Sequence, residues 1–172
     1  MKKDNKKGFT FIETLIYIAL ATMVLGIIFS YGWNILSLRE KSTTVNETYS
    51  DAELLNERLK REIRSTSSVD KDNSIFGSVP GKLVLKTDNG DVTIEVVNDK
   101  VSIKRGNGDA VFLHRDSVRI KSFLLTKEES ADGEILYVGF SFDVQAYFPE
   151  AGNRFEYQYS VPIESGAEIR NQ

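Results

Sequence analysis

Few residues in this chain could do covalent chemistry. It has no cysteine and one histidine, His114. That excludes a disulfide framework, thiolate metal sites and cysteine catalysis. It also excludes clustered-imidazole metal sites and leaves almost no room for a histidine-dependent triad. His114 sits beside Arg115 and Asp116 and reads as a structural histidine at a strand end. Asp88, Asp91, Asp99, Asp109, Asp132 and Asp143 are scattered, mostly at turns. Asp88-Asn89-Gly90-Asp91 offers oxygens that suit Ca²⁺, but no twelve-residue loop with a closing Glu surrounds it. No metal, cofactor or enzymatic activity is expected. The acidic group whose placement needs a reason is Glu13. It stands at the head of 25 consecutive uncharged residues, 14–38. A carboxylate inside a membrane helix costs about 2.5–3.5 kcal/mol or more at the centre and less near the interface. A plain membrane anchor has no use for it. If the chain were cut after Gly8, Phe9 would become the first residue, and its new α-amine would lie about one helical turn from the Glu13 carboxylate.

The elements that would position such a pair follow from charge and hydropathy. Lys2, Lys3, Lys6 and Lys7 against Asp4 make a short basic head. Residues 15–29 are apolar apart from Thr22, and Ile35, Leu36 and Leu38 extend the run. About 20 such residues span a bilayer as a helix. The basic head places the N-terminus on the cytoplasmic side and the rest of the chain outside. A signal anchor and a cleaved secretory signal are the competing readings. The second fits poorly: Ala19-Leu20-Ala21 would be the cleavage site, but only about four apolar residues precede it where an h-region needs roughly 7–15.

Residues 8–16, Gly-Phe-Thr-Phe-Ile-Glu-Thr-Leu-Ile, resemble the processing site of type IV pilins and type II secretion pseudopilins, with Phe11 in place of the usual Leu. The resemblance implies a sequence of events. A membrane-embedded prepilin peptidase would cut between Gly8 and Phe9 and methylate the Phe9 amine. Gly8, lacking a side chain, lets the peptide enter a tight active site extended. Glu13 would pair with the Phe9 amine of a neighbouring subunit, neutralising two charges in an apolar filament core. Removing one partner of such a buried pair costs about 3–5 kcal/mol. Removing the leader, with its four lysines and one aspartate, leaves 18 basic against 24 acidic side chains. Gly26 and Gly32 lie within the run. They read as ordinary membrane-helix glycines, or as a segment that loosens when the subunit leaves the bilayer.

Beyond Leu38 the apolar pattern becomes one-sided. Val45, Tyr49, Ala52, Leu55 (or Asn56), Leu59 and Ile63 recur at helical spacing. Acidic residues precede Arg58, Lys60, Arg61 and Arg64, an order that suits the helix dipole. Ser65-Thr66-Ser67-Ser68 ends the helix. One helix from about residue 9 to 65 would be roughly 85 Å long. From residue 82 the chain reads as seven strands in a meander packed on that helix, the last over residues 155–161. The expected class is α+β. Residues 1–8 form the leader, 9–38 the hydrophobic assembly helix, 39–66 its amphipathic continuation and 67–172 an antiparallel β head.

The layout also resembles J-type minor pseudopilins and the related W-type minor pilins. Leu55, Leu59 and the run Lys60-Arg61-Glu62-Ile63-Arg64 carry the local echo. The expected role is a minor subunit of a type IV pilus or type II secretion pseudopilus that helps initiate or cap the filament. Its partners would be the peptidase, other subunits, the inner-membrane assembly platform and, before assembly, lipid. A permanently anchored outward-facing β module is the alternative reading. Arg58, Arg61 and Arg64 form a solvated face or a partner-docking surface. Lys104, Arg105 and Arg119 are the candidates for DNA contact in a DNA-uptake pilin. The formal net charge of −3 gives no strong general pull toward nucleic acid.

Overall fold

The computed structural model describes residues 10–151 and 157–170. The chain divides into two units, Met1–Glu40 and Lys41–Gln172. One helix, α1 (Phe11–Arg64), contributes to both. Thr10 caps it: the Glu13 N–H donates to Thr10 Oγ1 at 3.3 Å, and the Thr14 N–H donates to the Thr10 carbonyl at 3.2 Å. Thr10-x-x-Glu13 is the capping-box pattern. Within the first unit every large apolar side chain is exposed, from Phe11 to Leu38. Among the described residues this is the one helix long and apolar enough to cross a membrane. It runs unbroken through Gly26 and Gly32.

In the second unit, α1 buries Ala52, Leu55, Leu59 and Ile63 at the three- and four-residue spacing of one face. The upper end of that face differs from the sequence reading. Thr44, Thr48 and Asp51 are buried there, while Tyr49 is exposed and Val45 half-buried. Two interactions make the polar choice tolerable: Thr48 Oγ1 returns its hydrogen bond to the Thr44 carbonyl at 2.8 Å, and Arg115 Nε lies 3.7 Å from Asp51 Oδ1.

Among the described residues the head has eight strands in two antiparallel sheets, where the sequence suggested seven in one meander. The first sheet runs β1 (Ser68–Val69), β2 (Lys82–Thr87), β3 (Gly90–Val97), β4 (Lys100–Arg105) and β5 (Val111–Phe112) in that order. The second is β6 (Val118–Glu129), β7 (Ile135–Ala146) and β8 (Ser160–Glu168). Turn residues set the registers. Asn98 and Asp99 both take positive φ, the requirement of a type I′ hairpin, and Val97 pairs with Lys100 across them. The split arises after β5, which makes only two pairs with β4 before residues 113–117 carry the chain into the second sheet. The sheets meet along the edge of β6. Gly77 and Gly81 donate to the Leu125 and Phe123 carbonyls at 2.9 and 2.7 Å, and Ile120 donates to the Asp99 carbonyl at 2.8 Å. Leu55, Leu59 and Ile63 share one core with Leu85, Ile94 and Val101 of the first sheet and with Phe123, Val138 and Phe142 of the second.

The last strand is displaced from residues 155–161 to Ser160–Glu168. Tyr157 packs on Phe148, with ring centroids 4.8 Å apart, and does not join a ladder. Pro162 lies in β8, an edge strand, where a missing N–H is tolerated. Gly166 faces Gly139 across the β7–β8 ladder, and the Tyr137 ring lies over both. A Cβ on Gly166 would collide with that ring and stand 2.7 Å from the Val138 carbonyl oxygen. Backbone cannot yield as a flexible side chain can. Gly166→Ala should therefore destabilise the head by about 1–3 kcal/mol. A thermal or urea midpoint equal to wild type would contradict this packing.

Candidate functional site

Gly8 and Phe9, the residues expected to flank the processing cut, lie outside the described residues. What the structure gives is the start of the helix that follows them. Thr10 is the cap, so regular helix begins at Phe11. Glu13 is the third helical residue, acidic and at the positive end of the dipole, a placement worth about 0.3–1 kcal/mol at an exposed site. Its side chain is half-buried, while the apolar residues after it are open. The capping box is a signal present in the sequence that the reading of Glu13 as a pure charge partner had passed over.

The basic residues at the end of α1 have different fates. Arg58 Nη1 donates to the Leu113 carbonyl at 2.7 Å, tying the helix to the segment after β5. Lys60 pairs with Glu57 at 3.1 Å. Arg61 and Arg64 are exposed, and neither has a partner among the described residues. Both line a cleft with Arg170, which sequence reasoning had not singled out. No local signal marks Arg170; the fold brings it from beyond β8.

Lys104, Arg105 and Arg119 are not brought together as one patch. Arg105 pairs with Glu62 of α1. Arg119 lies over the Tyr147 ring, 3.8 Å from its centroid, and donates to the Asp116 and Val118 carbonyls. Lys104 is exposed on β4 and pairs with Thr93 in the ladder. The start of β6 meets the β3–β4 turn at Asp99. Lys104 and Arg105 lie five and six residues further along the chain, roughly 17–20 Å on an extended strand. The neighbouring basic residues are also engaged: Lys100 with Asp116, and Lys121 with Asp99.

His114 is held in the segment that links the sheets. Its Nε2 accepts the Val101 N–H at 3.1 Å, which fixes the proton on Nδ1 and directs it to the Arg115 carbonyl at 3.0 Å. Among the described residues no group of three or more His, Asp or Glu is placed to hold a metal ion. Burial pushes the His114 imidazole below its ordinary value of 6.5, against the Arg115 hydrogen bond and the Asp51 carboxylate, which both raise it. Its folded-state value is depressed, so the unfolded chain binds the proton more readily. The stability this neutral histidine contributes is fully present above pH 6.5 and is lost as pH falls toward the depressed value. The paired carboxylates Asp70, Asp116 and Glu129 also lose stability on acidification, but only below their ordinary values of 3.8, 3.8 and 4.5. Urea midpoints should therefore fall between pH 7.5 and 5.5, and His114→Gln should flatten that slope. An unchanged slope in the variant would contradict the assignment.

A family model described as the prokaryotic N-terminal methylation motif matches residues 3–29. The comparison with curated proteins found no match, and neither did the comparison with solved structures. The matched stretch takes in most of the basic head, Glu13 and the first 16 of the 25 uncharged residues. That motif, the long helix that continues from it and the antiparallel β head into which the helix packs support a type IV pilin-like prepilin.

Proposed function

We propose that the protein is a minor subunit of a type IV pilus or type II secretion pseudopilus. It is stored in the cytoplasmic membrane through residues 9–38, with its head outside. A prepilin peptidase cuts between Gly8 and Phe9 and methylates the Phe9 amine. The subunit then joins a filament through its apolar helix, where it helps to initiate or cap the assembly. The observation that carries this reading is the methylation motif over residues 3–29, set directly on a helix whose large apolar side chains from Phe11 to Leu38 are all exposed in the free chain.

Each residue has a physical role in this scheme. Regular helix begins at Phe11, capped by Thr10, beyond the proposed scissile bond. The exposed surface from Leu15 to Leu38 supports lipid insertion before assembly and helix–helix packing after it. Glu13, at the first turn, meets the neighbour's methylated amine as an ion pair. Such a pair in an apolar surround is costly to break from one side. The role is structural: the subunit holds and transmits, and the head supplies the contact surfaces.

Glu13→Gln and Gly8→Leu separate the two steps. Gly8→Leu should leave the chain at full length in the membrane. Glu13→Gln should be cut normally yet be depleted at least tenfold from filaments sheared off cells that express the whole assembly system. A permanently anchored module would tolerate both changes, and wild-type incorporation of Glu13→Gln would reject the pairing role.

A further inference from the structure

The basic end of α1 contains cations that the fold has used and cations that it has not. Arg58, Lys60 and Arg105 are tied to Leu113, Glu57 and Glu62. Arg61, Arg64 and Arg170 have no partner among the described residues. All three are exposed and line one cleft, with Ser65 and Glu57 at its margin. The acid is already occupied by Lys60. The helix dipole accounts for Arg61 and Arg64 in the last turn. It does not account for Arg170, which follows β8 and reaches the same cleft from another part of the chain. Among the described residues the three guanidiniums converge with Glu57, already paired with Lys60, as the one acid in the cleft, and such like charges cost free energy unless something anionic meets them.

A second feature adjoins the first. Arg64, Ser65 and Arg170 also line a larger groove of about 870 Å³, whose wall includes Ser68 and Val69 of β1. β1 is the outermost strand of the first sheet. It has β2 on one side and, among the described residues, no strand on the other. Its ladder bonds point inward: Ser67 and Asp70 donate to the Lys86 and Val84 carbonyls. An unpaired strand edge in a groove is a template for an extended peptide. Asp88 and Glu134 line the same groove with Lys71, a mixture that repels a polyphosphate but accommodates a polypeptide of mixed polarity.

From these two features we infer that the groove is a docking site for an extended, carboxylate-rich segment of a partner polypeptide. The Arg61, Arg64 and Arg170 guanidiniums take its carboxylates, each able to bind one bidentately. The backbone of the segment lies along β1. The site goes beyond the assembly reading and does not depend on cleavage at Gly8, so either can fail without the other.

Anisotropy of a labelled hexapeptide of alternating Glu and Val tests it, with full-length chain in non-ionic detergent at fixed ionic strength. All proteins would carry Lys2→Gln, Lys3→Gln, Lys6→Gln and Lys7→Gln, so that the leader contributes nothing. Arg64→Gln with Arg170→Gln should weaken binding at least tenfold. Lys104→Gln, which removes a charge outside the groove, should change it less than twofold. Inorganic phosphate should fail to displace the peptide, and an alternating Gln–Val peptide should not bind. Equal binding by the double variant and Lys104→Gln would overturn the site. Displacement by phosphate at comparable concentration, or equal binding of the Gln–Val peptide, would overturn the assignment of a carboxylate-rich segment.

Discussion

An uncharged helical surface on every side cannot rest in water, and the rest of this molecule is arranged around that constraint. From Leu15 to Leu38 the large apolar side chains of α1 are all open in the free chain. Burying one of them stabilises by roughly 1.5–3 kcal/mol. A surface of this kind has two stable settings, lipid and the apolar faces of other helices. In the proposed function, membrane storage and filament assembly are those two settings. Glu13 stands where the surface begins, capped from Thr10, so that one charge accompanies the otherwise uncharged stretch of helix up to Leu38.

Past Glu40 the same helix obeys another rule. It has one buried face, and Leu55, Leu59 and Ile63 on that face serve as the shared floor of two sheets. The sheets are joined to the helix by specific links as well as by apolar contact. Arg58 reaches forward to the Leu113 carbonyl, Arg115 reaches back toward Asp51, and Glu62 takes Arg105. His114, between the first two links, holds the connecting segment to β4 through the Val101 N–H. Polar groups thus fix how the helix seats in the head, while apolar burial supplies most of the stability.

Legibility in the sequence followed the range of the interactions. The uncharged run, the basic head and the position of Glu13 need no tertiary context, and the methylation motif was readable from them. The α+β class and the helix over most of its length followed from periodicity. The Asn98-Asp99 hairpin rests on local backbone preference, since few residue pairs accept two positive φ values. Sheet membership was not legible, because a turn tells which strands are neighbours and not where a sheet ends. β8 was misplaced because the alternation over residues 155–161 reads as a strand, while the edge position that admits Pro162 and the Tyr137 ring over Gly166 are set by the fold. Thr44, Thr48 and Asp51 were missed as inward residues because the Arg115 that faces Asp51 arrives from a distant loop. Arg170 was invisible for the same reason: its neighbours Arg61 and Arg64 lie across the fold.

The account turns on what happens at the Gly8-Phe9 bond, and the intact mass of the membrane-extracted wild-type chain reads it directly. Expression with and without an active prepilin peptidase supplies the comparison. With the peptidase, the account predicts a chain that begins at Phe9 and is heavier by one methyl group on its N-terminal amine; without it, the unprocessed leader stays attached. A chain that keeps its leader in the presence of an active peptidase would contradict the account and leave the apolar helix as a plain anchor.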